Sequence, residues 1–562
     1  MGDRQMLAVQ STSRDGEAAG EREGGEKELM AEIVGAHRCG PTLDQPVNKG
    51  VTHLRGAAPQ GGTMATNSSL DPRTPVLVGG GQINNRVDQG AAPLEPVDLM
   101  VEALRGAAVD SGVGNALLEA ADSIRVINLL SWRYRDPGAL LGERIGASPR
   151  HTAYTVMGGN YVQTLVNRTG LDILEGKADV VILAGAEAWR TRSDTRKSGV
   201  EVAWTKQGDD VPAAEQVGDD KDLMGPGEVA RGIFMPVQVY PLFENALRAV
   251  DGLSLDEHRA RLGDLYARFS QVAADNPHAW NRDIWTAEQL TTPTPDNRMV
   301  GLPYTKRLNS NNMTEQGAAV VMCSLEKARS LGVADDAMVF LHAGADAHDH
   351  WFVSTRADLH SSPAMRFTGT AALSLAGIGV DDLAHVDLYS CFPSAVQIAA
   401  REIGLGLDRQ LTVTGGMSFA GGPWNNYVMH SIATMLTVLR NDPGTHGFVT
   451  ANGGYLTKHA MGVYSTTPPA AGAFRWQDCQ AEVDATRSVG LDPEPDGRGT
   501  IETYTVMHGR DSSAEQGIAA VTMPDGRRAW GITNDADLMA RMSAEEMIGT
   551  PITISPDGSL KG

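Results

Sequence analysis

From Pro75 to Thr467 the chain alternates short apolar runs, several of them closed by glycines, with segments whose apolar residues recur at helical spacing. Runs of that length and composition read as strands buried on both faces, so the segments between them must be helices that cover a sheet. PVLVGGG (Pro75–Gly81), SIRVINLL (Ser123–Leu130), HTAYTVM (His151–Met157), DVVILAGAEA (Asp179–Ala188) and AAVVMCS (Ala318–Ser324) are the expected strands of a first half. Helices are expected at Glu95–Ala108 and Asn160–Leu174. A second half repeats the order. Its strands are MVFLHAG (Met338–Gly344), HVDLYSCF (His385–Phe392), LTVTGG (Leu411–Gly416), HGFVTANGG (His446–Gly454) and MGVYSTT (Met461–Thr467). Its helices fall at Ala364–Leu375, Pro393–Ile403 and Tyr427–Leu439. The halves share little residue identity but the same element order, which implies two similar α/β lobes.

Three stretches depart from this pattern. Between Arg190 and Pro303 lies an insertion of roughly 100 residues, too long for a loop without structure of its own. Past Pro469 the texture turns β-rich: Thr500–Met507 alternates β-branched and polar residues, and Asp525-Gly526 marks a hairpin turn. This is the size of a small barrel of the oligonucleotide/oligosaccharide-binding (OB) type. Before Asn67 the chain is rich in Gly, Glu, Gln and Ser without periodicity, a composition of disorder, and Met64 stands directly before the ordered pattern as an expected natural start. The domains read as 1–72 (extension), 73–190 with 304–335 (first lobe), 191–303 (insertion), 336–470 (second lobe) and 480–562 (β-rich domain).

Composition narrows the function. With 562 residues and a net charge of −21, the chain is a poor partner for nucleic acid or an anionic membrane surface. No apolar run approaches the roughly 20 residues of a membrane-spanning helix. Four scattered cysteines (Cys39, Cys323, Cys391, Cys479) make neither a disulfide framework nor a zinc site, and together with the lack of an apolar leader they fit a cytoplasmic protein.

Five stretches carry a resemblance: Gly158–Ala188, Tyr304–Gly332, Val386–Leu405, GGMSFAGGP (Gly415–Pro423) and FVTANGG (Phe448–Gly454). They resemble the thiolase superfamily, and most nearly its thiolase-like proteins of type 1, which carry an added C-terminal domain. The resemblance implies an α/β fold of duplicated thiolase lobes in αβαβα layers, with an inserted loop domain and the small OB-like barrel at the C-terminus. It also implies acyltransferase chemistry on acyl-CoA, of the acetyl-CoA acetyltransferase kind, with coenzyme A as substrate or ligand and no other cofactor.

The resemblance further implies where chemistry should sit. Gly159 falls where the family carries its nucleophilic cysteine, counted back from the turn Gly176–Asp179. Tyr389 falls on the Asn or His of the NEAF- or HDCF-type motif, Gly422 on the histidine of GHP, and Ala451 on the cysteine of CxG. A glycine cannot be a nucleophile, yet backbone N–H groups at Gly159 and Gly453 could still form an oxyanion hole. Asn160, Asn452 and Gly422 are the expected substrate pocket. Of the groups left for catalysis, Cys391 is either a thiol at a helix start or a packing residue. His459 is either a general base or a loop histidine, and Tyr389 is a hydrogen-bond donor rather than a base.

Other features weigh less. His430 reads as a helix residue. Asp346, His348, Asp349 and His350 crowd one segment, but adjacent residues point apart and make a loop rather than a metal site. Arg192, Arg196, Lys197, Lys206, Lys306 and Arg307 could meet CoA phosphates or be solvated surface. Three functions stay open: an acyltransferase with altered chemistry; an acyl-CoA or acyl-carrier binding protein whose β-rich domain recruits a protein partner; and a thioester hydrolase or carbon–carbon lyase using His459.

Overall fold

The computed structural model describes residues 70–470 and 473–562. The expected disordered extension and the start at Met64 lie outside the described residues. In chain order the strands are β1 (Pro75–Asn84), β2 (Ser123–Val126), β3 (His151–Thr155), β4 (Val180–Ala188), β5 (Glu215–Val217), β6 (Met299–Gly301), β7 (Tyr304–Thr305), β8 (Glu315–Ser324) and β9 (Val339–His348). They continue as β10 (Leu383–Asp387), β11 (His446–Gly453), β12 (Lys458–Ser465), β13 (Arg475–Asp478), β14 (Gly497–His508), β15 (Ala514–Thr522), β16 (Arg528–Thr533), β17 (Pro551–Ile554) and β18 (Leu560–Lys561).

The duplication is visible in the pairing. In the first half β1 runs antiparallel to β8 and β8 antiparallel to β4, after which β4, β2 and β3 are parallel. In the second half β9, β12, β11 and β10 repeat that sequence: antiparallel, antiparallel, parallel. The first strands of the halves meet at Val76–Phe340 and Leu77–Val339, so the two ladders join into one eleven-stranded sheet. Helix Pro96–Asp110 covers β1, β8 and β4, and helix Pro363–Ala376 covers β9 and β12. Helices Tyr161–Leu174 and Tyr427–Asn441 lie against strands of both halves and touch each other. The layering is therefore helix, first half of the sheet, helix, second half of the sheet, helix. The central strands β4, β8 and β12 are buried along their whole length, which is why they read as continuous apolar runs.

One expected strand does not form. LTVTGG has no ladder; the buried carboxylate of Asp387 takes that place, accepting from the backbone N–H groups of Val413 and Thr414 and from the hydroxyls of Thr412, Thr414, Tyr427 and Ser431. A side chain that satisfies backbone donors removes the need for a neighbouring strand.

The insertion is knitted to both sheets. β5 extends the large sheet beyond β3, while β6 and β7 join the C-terminal sheet through β14. That sheet runs β16-β15-β14-β17-β18 and has its own core around Tyr504, Val506, Val521 and Met542. It is not a closed barrel: β17 and β18 are too short to continue the ladder, and a single bridge, Ile532–Ser559, spans the gap to β16. Buried Arg528 fastens the sheet to the rest of the protein. It donates to the carbonyls of Val353, Ser354 and Arg356 while pairing with Glu502. Among the described residues no helix is long and apolar enough to cross a membrane.

Candidate functional site

Five segments converge at the ends of the central strands: Met157–Gly159 before helix Tyr161–Leu174, Tyr389–Phe392 before helix Pro393–Ile403, Asn452–Tyr455 at the end of β11 and into the turn to β12, the loop carrying Met417 and Trp424, and Tyr240 from the insertion. They enclose a cavity of about 100 Å³. Gly159 is required by space. A Cβ built there would lie 2.5 Å from the Tyr389 hydroxyl oxygen and 2.7 Å from the backbone carbonyl oxygen of Asn452. Real Cβ atoms essentially never come that close to such neighbours. The Tyr389 phenol thus fills the volume that a side chain at 159 would use.

Tyr389 is set by its surroundings. Its N–H donates to Thr450 Oγ1 at 2.8 Å, and its ring packs edge-on against Tyr427, 5.7 Å between centroids. Burial, with the Cys391 thiol and the Tyr427 phenol nearby, holds its hydroxyl well above the ordinary tyrosine range. It is therefore a donor at neutral pH and not a base. No hydrogen bond engages that hydroxyl among the described residues. Burial likewise pushes the Cys391 thiol up to about 12. Such a thiol carries almost no thiolate at neutral pH, whereas a nucleophilic cysteine needs the opposite shift. Cys391 nonetheless lines the cavity, 3.8 Å from Asn452 Nδ2.

Of the expected site residues, Gly159, Tyr389, Cys391, Asn452 and Gly453 line this cavity together. Asn160 and Gly422 stand beside it. A Cβ on Gly158 would touch Asn160 Oδ1 at 2.5 Å, and a Cβ on Gly422 would meet Asn312 Oδ1 at 2.8 Å. His459 stands apart: it does not line this cavity. Strand alternation sends neighbouring β12 side chains to opposite faces. Lys458 turns toward Met157, so His459 turns the other way, where its Nε2 lies 3.5 Å from Asp349 Oδ2. His430 is buried in helix Tyr427–Asn441 with Nδ1 2.9 Å from Gln82 Oε1. The segment with Asp346 is also not a loop as expected, since β9 runs through His348. Asp346 and Asp349 spend their carboxylates on Thr164, Asn167 and Trp476, and on Ser362 and the Ala364 N–H. Among the basic residues weighed for CoA, Lys206 pairs with Glu201, Arg192 lies over Trp132 and Arg307 over Trp285.

Two residues escaped the sequence reading. Tyr240 stacks on Phe392 at 4.3 Å and accepts from Asn452 Nδ2 at 3.0 Å, and nothing in its local sequence marks it. Lys458 is buried. Its ammonium donates to the Met157 carbonyl at 2.6 Å and lies 4.8 Å from the Tyr161 ring centroid. Burial pulls its pKa down to about 8, opposed by Asp220 and Asp219. Strict alternation along β12 would have found it.

Comparison with known proteins follows this geometry. The family model described as the thiolase-like protein type 1 additional C-terminal domain matches residues 478–559. A sequence search of curated proteins finds no match. A monomeric SCP2-thiolase-like protein type 1 from Mycobacterium smegmatis, known as a crystal structure, is 34% identical over 88% of this chain and 99% of its own, with a TM-score of 0.74. An Ltp2–ChsH2(DUF35) aldolase is similar in fold, at 18% identity over 70% of this chain and 98% of its own, TM-score 0.53. So is an acetyl-CoA acetyltransferase from Syntrophomonas wolfei, at 16% identity over 70% and 99%, TM-score 0.50. Identity at that level over that span, together with the duplicated sheet and the added C-terminal sheet, places this chain in the family of SCP2-thiolase-like proteins of type 1.

Proposed function

We propose that the cavity binds an acyl thioester of coenzyme A and holds it without forming an acyl-cysteine. The Tyr389 hydroxyl donates to the acyl carbonyl, and the N-terminus of helix Tyr161–Leu174 supports the same oxygen with its positive end. In this reading Gly159 and Tyr389 are a coupled replacement: the residue at the nucleophile's position shrank, and the tyrosine grew into the space. The observation that carries it is the 2.5 Å separation between a Cβ on Gly159 and the Tyr389 hydroxyl oxygen. The buried, protonated thiol of Cys391 supports the same conclusion.

Binding is the reading we favour over acyl transfer, and over hydrolysis through His459, whose ring faces Asp349. The C-terminal domain acts first on its own chain. Asn245 of the insertion donates to the Tyr504 carbonyl, and the same helix carries Tyr240 into the cavity wall. A protein partner would dock on the outer face of that domain. The ligand chemistry and the reduced cysteines suit the cytoplasm.

Calorimetry with acetyl-CoA, paired with a spectroscopic assay of acetoacetyl-CoA cleavage, tests the proposal. Binding without turnover supports it; robust thiolysis contradicts it.

A further inference from the structure

The cavity wall holds one acceptor that the protein leaves unused. Asn452 Oδ1 is buried without a hydrogen-bond partner. Its amide is not free to turn over. Nδ2 donates to Tyr240 Oη, whose own hydrogen goes to the Gly454 carbonyl at 2.9 Å while Leu456 N–H donates to it at 3.2 Å. Turning the amide would set its carbonyl against an oxygen that has no second hydrogen to give. An orphaned buried acceptor is costly, on the scale of a lost hydrogen bond, so a ligand that brings a donor is favoured there.

A donor lines the same cavity. The Tyr389 hydroxyl and the Asn452 backbone both approach the point where a Cβ on Gly159 would sit, at 2.5 and 2.7 Å. Tyr389, which carries the donor, and Asn452, which carries the unused acceptor, thus both line the cavity beside Gly159. The space is small as well: about 100 Å³, less than the roughly 150 Å³ cavity that takes one benzene. Phe392 in its wall is buried and stacked between Tyr240 at 4.3 Å and Tyr304 at 5.7 Å.

We propose that the ligand is a short hydroxyacyl thioester, of about four carbons, whose carbonyl accepts from Tyr389 and whose hydroxyl, on the second or third carbon, donates to Asn452 Oδ1. This rests on the acyl-thioester reading above and narrows it to a chemical class. A simple acyl chain would leave Asn452 unpaired, and a long one would have to displace Phe392 or Met417.

Calorimetry on the full chain with butyryl-CoA, 2-hydroxybutyryl-CoA, 3-hydroxybutyryl-CoA and 3-hydroxydecanoyl-CoA tests it. One of the two hydroxybutyryl thioesters should bind at least about tenfold tighter than butyryl-CoA, and the ten-carbon thioester should bind more weakly than either. In Asn452→Ala the ratio of hydroxybutyryl to butyryl affinity should fall to near one. Equal affinities in the unmodified protein, a preference that survives in Asn452→Ala, or tighter binding of the long chain would overturn the proposal. Failure of all four thioesters to bind would instead overturn the acyl-thioester reading beneath it.

Discussion

The two halves share one strand order but differ at Gly159 and Tyr389, where they meet in the cavity. The first half completes its sheet with β3 and β5 and delivers glycines to the cavity, Gly158 and Gly159. The second half stops at β10, lets Asp387 stand in for the next strand, and delivers side chains: Tyr389, Cys391 and Asn452. A duplicated scaffold thus keeps its backbone plan while the first copy leaves room at Gly159 and the second fills it with Tyr389. The room and the phenol fit each other, so neither position can be changed alone without cost.

Removing the stand-in should have the largest effect. Asp387→Ala leaves the Val413 and Thr414 N–H groups and up to four hydroxyls without their acceptor. A loss of about 4 kcal/mol is expected in chemical unfolding; a change below about 1 kcal/mol would mean the loop does not depend on that carboxylate. Filling the room comes next. Gly159→Ala drives a methyl into both the Tyr389 hydroxyl and the Asn452 backbone, and should cost about 2 kcal/mol and abolish ligand binding. Unchanged melting would show the fit to be loose.

Lys458 tests the other side of Gly158. Burial holds its pKa at about 8 in the folded protein, against 10.5 for an unperturbed lysine. Between those values the unfolded chain holds a proton that the native protein has released, so stability from this group rises with pH through that window. Below pH 8 the burial penalty is present in full. Lys458→Met should remove that rise and stabilise the protein near pH 7 by on the order of 2 kcal/mol. Parallel stability–pH curves for the two proteins would contradict this.

Smaller effects separate binding from packing. Tyr389→Phe keeps the ring but loses the donor, and should weaken acetyl-CoA binding about tenfold while leaving coenzyme A itself nearly unaffected. His459→Ala should leave the affinity for acetyl-CoA unchanged, since that ring faces Asp349 rather than the cavity; an appreciable loss of affinity would return the histidine to the site.

Much of this was legible in the residues. Buried strands such as Val180–Ala188 announce themselves because both faces are apolar, and helix Pro393–Ile403 because proline opens it and glycine follows it. The glycines at the cavity were legible through family resemblance. What failed, failed for tertiary reasons. LTVTGG has strand composition but finds a carboxylate instead of a neighbour. His459 reads from the sequence as either a base or a loop histidine, and its register in β12 decides which way it faces. Tyr240 arrives from an insertion far away in sequence, where no local pattern predicts a cavity wall.

Mass spectrometry of the protein mixed with acetyl-CoA, recorded first under native and then under denaturing conditions, tests the central claim most directly. The proposed binding mode predicts a complex heavier by one acetyl-CoA in the native spectrum and the unmodified chain mass after denaturation. An acetyl increment that survives denaturation and maps to Cys391 would contradict it.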